Sequence, residues 1–465
     1  MSSLDPSATR GRGSLRSALL LVLWMLPSPL LADSLAHDRV VGALGARLDA
    51  QLTSFAAYGF SGTVLVVRDD QVVLLKGYGF ADAERGIRNT AATRFEMNSM
   101  TKMFTGVAIL QLAAQGRLRL SDSVGTYFDG FPPAKQQATI EQLAMHTSGL
   151  IVKGSDLAGD SRQAFVQDVA QTPLESPPGE SYRYTNAGFS LLAAIIETTS
   201  GEPYEQYLRR HLFEAAGMQT ALFRNEVPAG DSLFAHGYVG TPAAREPGPP
   251  NPYVWGTVGA GGVWCTVGDM YLWLQALEAR RVLPEAEWLL LHRPPPPPAE
   301  EAFGWHVETV DGRERISKGG GSDDFASQML YYPHEHAVIL WACNDLRQRW
   351  RRALNVALAG MVLDGNDGTP LPPVVALPAA TLQMRAGRYL SGGESLELLA
   401  ATGYLYAAAN SLGVPTNVMF FPQDAQQFTA FDPSNGSQMK LSFAPGKEGS
   451  VTIELADGRR LTGSR

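Results

Sequence analysis

An α+β domain followed by a small all-β barrel is the fold class this sequence predicts, and three observations predict it. Apolar, β-branched runs stand at both ends of the segment 37–367. Between them lie helical segments too apolar to face water. Beyond residue 378 the helical pattern stops, and short alternating runs continue to the C-terminus.

At 465 residues the chain exceeds what a single core usually holds, so two domains are expected. Hydrophobic residues make up 45% and charged residues 18%, the balance of a soluble globular protein. A formal net charge of −8 argues against nucleic acid as a partner, because phosphate binding needs a basic face. Cys265 and Cys343 both sit in apolar surroundings, GGVWCT and ILWACN, and read as two buried thiols.

The elements follow in order. Arg10, Arg12 and Arg16 precede ALLLVLWML (18–26), and small residues follow in LLADSLA. This reads as an export signal over 1–36, with cleavage after Ala32 or Ala36. Its apolar core is too short to span a bilayer, and no cysteine follows for lipid attachment, so a periplasmic product without a stable membrane anchor is expected. Losing residues 1–32 removes three Arg and one Asp, taking the charge from −8 to about −10.

GTVLVVRDDQVVLLKGYGFAD (62–82) places two apolar runs around RDDQ and predicts a hairpin. TKMFTGVAILQLAAQG (101–116) and NAGFSLLAAIIETTSG (186–201) predict buried helices, each closed by glycine. GTPAAREPGPPNPYVWG (240–256) predicts a loop able to overhang a cleft, and GDMYLWLQALEARR (268–281) an amphipathic helix. RPPPPP (293–298) predicts an extended surface segment. ASQMLYYP and HAVILWACN predict two strands around HEH (334–336), and RQRWRRALNVALAGMVL (347–363) a closing helix. The sheet should therefore join the two ends of the domain. GTPLPPVVALP (368–378) is the expected linker. Seven short runs over 379–465, from RAGRYL to SVTIEL, predict the barrel.

Three stretches could carry chemistry. In FEMNSMTKMF, Ser99 precedes Lys102 by one helical turn at a helix start. A lysine serves as base only when neutral, and burial beside a second cation would lower its pKa enough. Read alone, the pair is equally an N-cap serine with a snorkelling lysine, and the same spacing recurs at Ser437 and Lys440. In YRYTNAGF, the Tyr184 phenol could pass protons, and the Asn186 carboxamide could hold a lysine and a substrate amide together. A core tyrosine and a helix cap are the bland alternative. In SKGGGSDDF, Lys318 precedes Gly319, Gly320 and Gly321 ahead of a strand. Glycines there let a substrate backbone approach and leave N–H groups for an oxyanion, or form only a flexible turn.

Ser-x-x-Lys, then Tyr-x-Asn, then Lys-Gly-Gly, in that order, resembles the three-motif signature of serine β-lactamases and penicillin-binding proteins. HTSGL (146–150), PPGESYRYTNAGFSLLAAIIE and GAGGVWCTVGDMYLWL are similar to the wording of the class C β-lactamase, D-aminopeptidase and esterase branch, over residues 50–365. The resemblance implies a β-lactamase/transpeptidase-like antiparallel sheet flanked by helices. It implies that Ser99 forms an acyl-enzyme, that Lys102 and Tyr184 share the base role, and that Asn186 binds substrate amide. Lys318 would supply positive potential, and the N–H groups of Ser99 and Gly321 the oxyanion hole. The region after residue 377 resembles the lipocalin-like barrel appended to some of these hydrolases.

Two departures stand out. Gly319 replaces the Thr of many relatives, and Asp323 and Asp324 follow where neutral residues are usual. They predict poor use of substrates bearing a carboxylate. The expected protein is an exported serine hydrolase acting on an ester or amide of a small molecule or peptide, with no metal and no organic cofactor. The competing readings are a β-lactamase or D-Ala-D-Ala carboxypeptidase, and a non-catalytic binder of cell-wall fragments. No Gly-x-Ser-x-Gly occurs to support a His-dependent triad at His146 and Ser148.

Overall fold

The computed structural model describes residues 35–465 except 151–158, 160, 242–243, 249–252, 345–349, 392, 412–413, 415–417 and 445–448. The export signal expected over 1–36 lies, up to residue 34, outside the described residues, as does the start of the helix expected at 347.

A seven-stranded antiparallel sheet forms the frame. Its strands are β1 (Arg39–Val40), β2 (Gly62–Arg68), β3 (Gln71–Tyr78), β4 (His306–Val310), β5 (Arg313–Gly321), β6 (Ala326–Tyr332) and β7 (Ala337–Cys343), in the spatial order β1-β3-β2-β7-β6-β5-β4. The expected closure of the two ends is thus observed: β2 runs against β7, with Val64 opposite Trp341 and Val66 opposite Ile339. Asp69 and Asp70 make the β2–β3 turn with positive φ, which short polar side chains tolerate.

Both faces of β2 are buried, which explains its continuous apolar run. Val64 and Val66 pack with helices α1 (Gly42–Ala57) and, at the far end of the domain, Arg351–Leu363. Leu65 and Val67 point the other way, into the larger core built by α2 (Thr101–Ala114), α3 (Asn186–Ser200) and α4 (Val267–Glu278). The helix Arg351–Leu363 is α5. Gly116 and Gly201, with φ of 70° and 76°, stop α2 and α3 in the left-handed region that only glycine enters cheaply.

Some expectations need correction. Helix α4 is buried on nearly every side, because it lies inside the large core. The stretch 240–256 contains a hairpin, Tyr238–Thr241 with Ala244–Pro247. The edge strand β4 was not anticipated; its polar sequence HVETV shows no apolar run. HEH is split between a short helical turn and His336, which pairs with Asp70 at 3.3 Å.

Eight strands between Gly387 and Ser464 close the expected barrel. The eighth, Arg460–Ser464, is mostly exposed and lacks the pattern of the other seven. A short helix, Ala379–Arg385, precedes them against expectation; its Leu382 belongs to the barrel core. Ser437 and Lys440 lie on a barrel strand, three residues apart and therefore on opposite faces, so this second Ser-x-x-Lys makes no pair. The barrel meets the main domain through aromatic rings: Phe431 stacks on Phe55 at 5.7 Å, and Phe421 lies 5.0 Å from Tyr58. Cys265 and Cys343 are buried thiols not joined in a disulfide, as expected.

Candidate active site

Ser99 sits in a single helical turn, Asn98–Met100, that leads into α2. The turn is clamped from both sides. Before it, Met97 donates its N–H to Val263 O at 2.8 Å, tying it to the small sheet of Phe95–Glu96, Val263–Cys265 and Leu222–Phe223. The Met97 carbonyl accepts from Ser327 Oγ of β6 at 2.9 Å. Asn98 adopts φ of 49°, so the residue before the serine holds a conformation that few side chains accept.

Lys102 lies one turn along and is fully buried. Its Nζ is 3.2 Å from Ser99 Oγ, 2.8 Å from Asn186 Oδ1 and 3.0 Å from the Ala260 carbonyl. Two of these partners can only accept. A neutral amine therefore spends its two N–H groups on Asn186 and Ala260, leaving its lone pair for the Ser99 hydroxyl. Burial, and then the charge of Lys318, hold the Lys102 pKa well below its usual value, which favours that neutral form.

Nearly half of Tyr184 is exposed (46%), along the cleft that it lines together with Ser99. The ring lies 4.8 Å from Lys102 Nζ, 5.3 Å from Lys318 Nζ and 4.4 Å from the His146 ring. Desolvation and Glu301 raise the phenol pKa, so it stays protonated at neutral pH and is suited to relay a proton. Asn186 opens α3, but Thr185 is the cap residue. With its carbonyl oxygen on Lys102, the amide Nδ2 of Asn186 remains as a donor.

Lys318, Gly319, Gly320 and Gly321 lie inside β5, paired with β6, and not in a turn ahead of a strand. The glycines serve close approach. A Cβ on Gly320 would stand 2.0 Å from the Met97 carbonyl oxygen. A Cβ on Gly319 would stand 2.0 Å from Arg351 Nη1, so the Arg351 guanidinium fills the space of the missing side chain. Arg351 donates to Gly320 O at 2.7 Å and to Gln328 Oε1. Ser99, Tyr184, Lys318, Gly321 and Arg351 line one cleft of about 470 Å³.

Three participants escaped the sequence reading: Glu301, His306 and Arg351. Glu301 is fully buried, with Oε2 2.6 Å from Lys318 Nζ and 2.7 Å from His306 Nε2, and Oε1 2.7 Å from His146 Nε2. It is Glu301 that pairs with Lys318. Asp324, close to this lysine in sequence, accepts from Ser322 Oγ at 2.7 Å and packs against Gly237 and Gly248, and Asp323 is exposed. Gly304 and Gly106 explain how Glu301 arrives. Each would place a Cβ under 3 Å from the facing backbone, so the 301–305 segment lies directly on α2 beside Lys102.

His146 also has positive φ, and its Nδ1 accepts the Thr185 N–H at 3.1 Å. Its proton is thus on Nε2, toward Glu301. Burial drives its pKa down to about 4, with Glu301 opposing. An unfolded histidine takes up its proton near pH 6.5, so stability is full above that value. It is lost as pH falls from about 6.5 toward 4, by at most roughly 3 kcal/mol. The Tm is expected to fall across this window, and His146→Asn to flatten the fall. A wild-type Tm constant from pH 7 to 4.5 would contradict this.

A buried lysine on a serine hydroxyl, beside an antiparallel sheet flanked by helices, is the arrangement of β-lactamases and penicillin-binding proteins. The chain belongs to the Beta-lactamase family, whose pattern matches residues 40–360. It is 36% identical over 219 residues to PbpX of Bacillus subtilis (strain 168), described as a penicillin-binding protein, covering 47% of this chain and 55% of that one. The chain thus spans about half of that relative's length. In fold it is similar to the octameric penicillin-binding protein homologue from Pyrococcus abyssi, with TM-score 0.62, 20% identity, and coverage of 90% and 100%. The D-amino acid amidase from Ochrobactrum anthropi SV3 superposes with TM-score 0.57 and 22% identity, over 65% of this chain and 92% of that one. Both structural likenesses speak to fold alone.

Proposed function

We propose that this protein is a serine hydrolase that cleaves an ester or amide through an acyl-enzyme on Ser99. The observation that carries the reading is the Lys102 environment, in which two carbonyl acceptors aim the amine's lone pair at the Ser99 hydroxyl. Lys102 takes the Ser99 proton as Oγ bonds to the substrate carbonyl carbon. The developing oxyanion is stabilised by the N–H groups of Ser99 and Gly321, on one cleft wall. Tyr184, on the same cleft wall as Ser99 and held protonated by burial, relays the proton to the leaving amine or alcohol as its bond to carbon breaks. Water then attacks the ester on Ser99, giving its proton back through the same groups and releasing the acid.

We include export in the proposal. Its support is the basic and apolar pattern of residues 10–26. The competing readings, a β-lactamase or D-Ala-D-Ala carboxypeptidase and a non-catalytic binder, are separated by one experiment. Intact mass is followed after exposure to a panel of esters, D-amino-acid amides and β-lactams. A transient adduct on Ser99 with esters or amides is expected. An adduct only with β-lactams, short-lived for a β-lactamase or long-lived for a carboxypeptidase, would favour the second reading, and no adduct with any member the third.

A further inference from the structure

We propose that Glu301 sets the charge preference of the cleft: by occupying Lys318 it removes the attraction for a carboxylate beside the scissile bond, and so selects neutral or amine-bearing esters and amides. The inference deepens the hydrolase reading and rests on it.

Lys318 is the cation placed to receive a substrate carboxylate, since it borders the cleft beside Ser99. Its charge is already met at 2.6 Å by a carboxylate with no exposed surface. Burial would raise the pKa of Glu301, but Lys318 and the imidazoles of His146 and His306 outweigh it and hold it well below the ordinary range. Glu301 is therefore an anion at every pH where Lys102 can act. With Lys102 neutral, the Lys318–Glu301 pair sums to zero charge. An arriving anion meets a compensated pair, with the negative member behind the positive one. Of the other cations on the cleft wall, Arg315 pairs with Glu308 at 2.8 Å, and Arg351 commits N–H groups to the neutral oxygens of Gln328 and Gly320, which fixes its guanidinium without cancelling its charge. The missing hydroxyl at Gly319 removes the neutral donor that would help a carboxylate.

The groups facing Glu301 are His146, His306 and Lys318 in contact, with Lys102, Tyr182 and Tyr184 sensing its charge. Glu301 raises the pKa of Lys102 against the larger lowering by burial. Removing its charge must therefore move the acid limb of acylation to lower pH. A purely structural residue would not do this.

The test uses two reversible serine ligands that differ by one charge, 1-acetamido-2-phenylethylboronic acid and its 3-carboxyphenyl analogue. Wild-type enzyme should bind the neutral compound at least as tightly. Glu301→Gln should shift the ratio of inhibition constants by about 10- to 100-fold toward the carboxylate, given partial screening of one uncompensated charge. The acid limb of kcat/KM for a neutral ester should move down in the same variant. Equal weakening of both boronates by Glu301→Gln, with an unmoved limb, would reduce Glu301 to a structural residue and overturn the proposal. Should the variant fail to fold, the wild-type comparison still decides. A wild-type preference of tenfold or more for the carboxylate would overturn it and shift anion recognition to Arg351. Binding of neither boronate would instead overturn the hydrolase reading, a distinguishable failure.

Discussion

Ser99→Ala is expected to abolish adduct formation with a serine-directed phosphonate, and Lys102→Ala to slow acylation by about 10²- to 10⁴-fold, the usual worth of a positioned proton acceptor. Both follow from the contacts at Nζ. Lys102 has no exposed surface, and its Nζ approaches Ser99 Oγ at 3.2 Å, so removing it takes away the one amine in contact with that hydroxyl among the described residues. The pH dependence separates this from a packing effect. A base of depressed pKa makes kcat/KM rise with pH through a limb well below the ordinary lysine value, whereas an exposed lysine would titrate near 10.4. Intact mass and rapid kinetics measure both effects. Labelling at Ser148 or Ser437, or wild-type acylation rates in Lys102→Ala, would remove the assignment.

Gly320→Ala should be nearly as damaging, although it adds one methyl group and no charge. The new Cβ would lie 2.0 Å from Met97 O and 2.7 Å from Ser327 Oγ. Neither can retreat easily, because Met97 is tied to Val263 and Ser327 is bonded to Met97. The strand carrying Gly321 must move off the Ser99 turn, and a misplacement of about 1 Å can cost about 100-fold in rate. Overpacking would also cost about 1–3 kcal/mol of stability. Gly319→Ala is the control: its Cβ meets the end of the Arg351 side chain, which can swing, so a loss below about tenfold is expected. Equal effects of the two substitutions on kcat/KM would show that close approach at Met97 is not what Gly320 provides.

The residues read from the sequence were those whose meaning is local. Ser99 and Lys102 share a helical turn, and Tyr184 and Asn186 open a helix, so spacing alone brings each pair together. The sheet was legible because β2, β6 and β7 are buried and β3 half-buried, so each carries an apolar run; β4, at the edge, does not. Glu301 was illegible for the opposite reason. Its partners His146, His306 and Lys318 come from separate segments, and nothing in EEAFGW distinguishes it from the exposed acid beside it. The nearest signal was the pair of glycines, Gly106 and Gly304, which mark two backbones pressed together. Asp323 and Asp324 are near Lys318 in sequence, whereas the carboxylate paired with it in space is Glu301.

The pairing of β2 with β7 also sets a timetable. Val64 waits for Trp341, so the sheet cannot close until almost the whole domain has been synthesised. Such long-range pairing is slow, because the chain between must be ordered before any contact repays the cost. Ser99 lies in the waiting stretch and borrows its setting from Val263, Ser327 and Gly320, all made later. The nascent chain thus carries Ser99 and Lys102 for most of its synthesis without their folded setting, which is complete only when the last strand arrives.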